Sequence, residues 1–84
     1  MNLYLISQDE NGGYDVFDSA VVCAASEEEA RNIHPRSKWC KEFEIECIFT
    51  EYDWCSPDKV VVKLIGKAPE RAEAGVICAS FNAG

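Results

Sequence analysis

The stretch YDVFDSAVVCAASEEEARNIHP, residues 14–35, decides the fold. Its first half is rich in β-branched and aromatic residues and its second half in helix formers, so local preference switches from strand to helix near Ala25. Ser26 precedes Glu29 by three residues, the spacing at which a hydroxyl accepts an amide of the first turn and the carboxylate reaches back to the cap. Glu27, Glu28 and Glu29 sit where the helix dipole favours negative charge, and Pro35 ends the element. The pattern predicts a strand over 14–24 and a helix over 27–34, with Ala30 and Ile33 as the buried stripe. So short a helix cannot stand alone and must dock on a sheet.

Outward from this unit, residues 2–8 read as a strand, with Leu3 and Leu5 on one face and Tyr4 and Ile6 on the other. Asn11, Gly12 and Gly13 supply a hairpin turn. The strand after it puts Phe17, Val21 and Cys23 on one face and Tyr14, Val16, Ala20 and Val22 on the other, and Asp18 and Ser19 predict a bend or bulge. Downstream, Phe43, Ile45, Cys47 and Phe49 alternate with Glu44, Glu46, Ile48 and Thr50, the period of a half-buried strand with an acidic outer face. A strand over 59–65 has Val60, Val62 and Leu64 inward and Lys63 outward, and a last strand covers 75–81. The expectation is a single α+β domain over residues 1–84, a small, mostly antiparallel sheet of about five strands packed on one short helix.

Fifteen acidic against eight basic residues give a net charge of −7 over 84 residues. That charge repels phosphates and anionic lipid, which argues against direct nucleic acid or membrane binding and favours a basic protein surface as partner; it also simply promotes solubility. The first ten residues have neither the basic segment nor the apolar length of a signal peptide or spanning helix, which predicts a cytosolic protein. Five cysteines, an odd number, fit reduced thiols or a metal site better than a closed disulfide framework.

Zinc takes four Cys or His donors, and His34, Cys40 and Cys55 flank one strand, with Cys47 as the fourth candidate. Such a site would be structural, because a small core gains most from a closed metal site. The simpler reading of His34 is a cationic group at the negative end of the helix dipole. Cys23 lies a helix length from His34 and is set aside, and Cys47 and Cys78 read most simply as core thiols. No motif supports catalysis: the acids lack calcium-loop spacing, the glycine pair lacks a following lysine and helix, and so small a domain has little room for a cleft. Trp39, Tyr52 and Trp54 lie among acids, a mixture suited to gripping a basic partner, although the two tryptophans could equally cover the edge of the core. Glu42, Glu44, Glu46, Glu51, Asp53, Trp54 and Asp58 are the expected partner contacts.

The segments LYLISQDENGGYDVFDSAVVCAASEEEARNIHP (3–35), WCSPDKVVVKLIG (54–66) and GVICASFNAG (75–84) resemble a family of short proteins encoded by bacteriophages and prophages. Small acidic phage proteins of this type include anti-CRISPR inhibitors, and a zinc-carrying inhibitor of a single-chain RNA-guided nuclease would be similar in size and charge. The resemblance implies the cytoplasm of an infected bacterium as the working compartment and a host protein as target, most readily an RNA-guided CRISPR nuclease with a basic nucleic acid channel. It leaves a housekeeping or structural phage protein with no defence target as the alternative.

Overall fold

A computed structural model describes residues 1–10, 16–37, 40 and 54–82. The elements are β1 (Asn2–Ser7), β2 (Val16–Ala24), α1 (Glu27–Arg31), a 3-10 turn (Pro57–Lys59), β3 (Val61–Lys67) and β4 (Gly75–Asn82). The strands form one antiparallel sheet in the order β3-β1-β2-β4. The fold is therefore α+β, with four strands among the described residues rather than five. The additional strand expected over 43–50, and the turn at 11–13, lie outside the described residues.

The strand-to-helix switch is where the sequence puts it. Ser26 has extended backbone, and its hydroxyl accepts the Glu29 N–H at 3.2 Å. The helix stops at Arg31 rather than His34, because Asn32 terminates it. Asn32 and Ile33 donate to Glu29 and Ala30, three residues back, which tightens the last turn, and the Asn32 side chain donates to the Glu28 carbonyl at 2.8 Å. Fully buried Ala30 lets α1 sit close over β1, β2 and β3.

Beneath the helix, Tyr4 faces Val22 and Ile6 faces Ala20 across the β1/β2 ladder, and all four are buried. Complete burial of the Ile6 side chain stabilises the fold by roughly 1.5–3 kcal/mol. The register of β2 against β4 shifts between Phe17 and Ser19, so the irregularity expected at Asp18 is present. One extra residue reverses the face of everything before it. Phe17 accordingly joins Tyr4, Ile6, Ala20 and Val22 in the core instead of sharing a face with Val21 and Cys23. Gln8 closes the bulge, its backbone N–H reaching the Asp18 carbonyl and its side-chain amide the Phe17 carbonyl at 2.9 Å.

The outer strands depart further from expectation. Leu64 is opposite Tyr4 yet 56% exposed, and Cys78 is exposed rather than a core thiol. Leu64 is on the core face of an edge strand and has neighbours on one side only, whereas Cys78 pairs with Val21, on the face opposite Tyr4, Ile6, Ala20 and Val22. Val60, by contrast, is buried where the chain enters β3.

Candidate functional site

A concavity lies where the end of α1 meets the segment leading into β3. Arg31 makes the junction: its guanidinium donates to the Pro57 carbonyl at 3.0 Å and to the Val60 carbonyl at 2.6 Å, tying the helix to both ends of the 3-10 turn. Pro57 at the first position of that turn supplies a preset φ. Ser56 precedes it and donates its hydroxyl to the Asp58 carboxylate. This hydrogen bond, helped by the nearby Lys59 and Arg31 charges, holds the exposed Asp58 carboxyl below its ordinary pKa.

Between this junction, the turn at His34–Ser37 and the start of β4 opens a cavity of about 540 Å³. Trp54 forms part of its wall, and His34 and Cys55 both line it. Gly75 borders it with φ 138°, a conformation that L side chains rarely adopt, so glycine starts β4 here for backbone reasons.

Two of the four residues expected to bind zinc, His34 and Cys55, thus share one cavity. His34 stands three residues beyond the helix, so it does not serve as a cation on the helix end. Its Nδ1 accepts the Arg36 N–H at 3.1 Å, and its ring meets Phe17 edge to face at 6.4 Å between centroids. That hydrogen bond occupies Nδ1. Cys40, whose N–H bonds to the Arg36 carbonyl, is buried and disulfide-bonded, and only the reduced thiolate ligates zinc. Cys47 lies outside the described residues. Among the described residues no three His, Cys, Asp or Glu side chains converge in a metal-binding arrangement.

The expected partner contacts separate in a different way. Asp58 is exposed. Trp54 is only 2% exposed and belongs to the core cluster with Tyr4, Phe17 and Ala30, so it has no side-chain surface to offer a partner. A tryptophan is large enough to seal the open end of a small core, and that outweighs its value at the surface. Glu42, Glu44, Glu46, Glu51 and Asp53, together with Trp39 and Tyr52, lie outside the described residues. Glu27, Glu28 and Glu29 add an exposed acidic ridge on α1.

The Arg31 clamp was not visible in the sequence. Arg31 reads as the basic residue of the last helical turn, and nothing in the spacing of 31 and 57–60 shows that two carbonyls will lie within its reach. Among the described residues no helix is long and apolar enough to cross a membrane. No family model matches the chain, and no curated protein or solved structure resembles it significantly.

Proposed function

We propose that this protein works by stoichiometric binding through its acidic surface to a basic surface of a host protein, without catalysis. The observation that carries the reading is the net charge of −7 on 84 residues, with Glu27, Glu28, Glu29 and Asp58 all exposed. Charge of one sign speeds encounter with an oppositely charged surface and selects against nucleic acid. In this reading Glu44 and Glu46, on the outer face of a strand over 43–50, are contacts together with Glu42, Glu51, Asp53 and Asp58. The target class follows from the resemblance to phage proteins: an RNA-guided CRISPR nuclease in the bacterial cytoplasm, whose nucleic acid channel is basic. A structural zinc ion at His34, Cys40, Cys47 and Cys55 enters this reading only in the reduced chain, where Cys40 is a thiol.

The test is calorimetric titration of a purified, guide-loaded nuclease with the protein at several salt concentrations. The expected result is saturable binding that weakens as salt rises and is reduced by combined Glu44→Lys and Glu46→Lys. Absence of binding, or binding indifferent to salt and to charge reversal, contradicts the reading. Recovery of the protein in phage particles would instead favour a structural role.

A further inference from the structure

The two edges that the sheet has among the described residues are not equivalent. β3 carries Lys63 and Lys67, and Lys59 precedes it, so this edge is basic. β4 runs for eight residues, GVICASFN, with no charged residue and no proline. Each edge is interrupted once, at Ile65 in β3 and at Ile77 in β4, so the bulges do not distinguish them. Lysine is a common device that blocks edge-to-edge pairing, and β4 has no such device. Over residues 77–80 its side chains are also exposed on both faces, while Val76 packs partly against the core. Ile77 is 49% exposed, and Cys78, Ala79 and Ser80 are all exposed, although Ala79 lies opposite the buried Ala20.

From this contrast we infer that β4 pairs antiparallel with β4 of a second copy, making a two-fold dimer with one continuous sheet. The inference does not rest on the acidic-surface reading. Electrostatics selects the occupant. Two copies of a chain with charge −7 repel at most surfaces, and a two-fold contact sets every residue near its own counterpart. An uncharged strand is the element that can meet itself without cost, whereas a β3 contact would bring lysines together. Symmetry also fixes the register. The axis of an antiparallel pair within one sheet stands perpendicular to that sheet and passes a residue facing its own copy. Near the middle of β4 that residue is Cys78 or Ala79. In either register both Cys78 side chains are on the same face, with Cα atoms no more than about 8 Å apart given strand rise and spacing.

The experiment is sedimentation velocity of the full chain with reductant, from micromolar to millimolar concentration, alongside cross-linking with a short bismaleimide. The expected result is a concentration-dependent dimer that is cross-linked, with the cross-link lost in Cys78→Ser while the dimer persists. Ala79→Lys, which sets two ammonium groups near the axis, should weaken association at least about tenfold. Ile65→Lys on β3 should leave it unchanged. A monomer at every concentration overturns the inference, as does a dimer abolished by Ile65→Lys and indifferent to Ala79→Lys. Should Ala79→Lys fail to fold by circular dichroism, the wild-type cross-link decides alone: a dimer not linked through Cys78 overturns the inference.

Discussion

β3 and β4 hold the same place in the architecture, each pairing on one side with a central strand, and each exposing apolar side chains such as Leu64 and Ile77. They differ in charge, since Lys63 and Lys67 mark β3 and nothing marks β4. They differ also in cover. α1 packs on β1, β2 and β3, and Arg31 ties it to the turn from which β3 starts. Among the described residues one edge is thus capped by a helix and made basic, while the other is neutral and has no strand or helix over it. A sheet that manages one edge and leaves the other plain has an asymmetry that association can use.

The comparison is sharpened first by what lies under the helix. Trp54→Ala should cost about 3–5 kcal/mol of stability in denaturant titration, because it empties the part of the core shared by β1, β2 and α1. A loss under 1 kcal/mol would put the tryptophan at the surface after all. Next, Ile6→Ala on a central strand should cost about 2–5 kcal/mol, whereas Ile77→Ala on β4 should change monomer stability by no more than about 0.5 kcal/mol. Equal losses at the two positions would mean that β4 is as covered as β1. Arg31→Met keeps an aliphatic stem but leaves the Pro57 and Val60 carbonyls without that donor. A loss of about 1.5–3 kcal/mol is expected, with amide exchange accelerating around residues 57–61 before β4 responds. The smallest effect concerns Ser56→Ala. Asp58 titrates below its ordinary value in the folded chain, so its contribution is present above that value and lost as pH falls through the lowered one. Removing the Ser56 hydroxyl should move the Asp58 carboxyl back up in an NMR titration, and an unmoved titration would show that the Lys59 and Arg31 charges suffice.

Much of the central unit was legible in the sequence because its determinants are local. The Ser26 cap, the acids of the first turn and the burial of Ala30 each follow from neighbours within four residues. The bulge at Asp18 was legible too, but its consequence for Phe17 was not, since a bulge resets which face a residue takes only once its partner strand is known. Leu64 was misplaced because alternation gives a side chain's face and says nothing of whether its strand ends up at an edge, and Cys78 because its face is set by its pairing with Val21. Trp54 looked like an interface anchor in an acidic segment, and the need of a small core for a large apolar lid proved decisive. The shared cavity of His34 and Cys55 was half visible, in that the two were grouped, but the hydrogen bond that occupies Nδ1 depends on a turn geometry that composition does not encode.

The difference between the edges is tested most directly by hydrogen exchange of the β3 and β4 backbone amides at low and high protein concentration. The account predicts that amides of Gly75–Asn82 on the side away from β2 gain protection as concentration rises, while those of Val61–Lys67 on the side away from β1 do not. Protection appearing on β3 with concentration, or on neither strand, would contradict it.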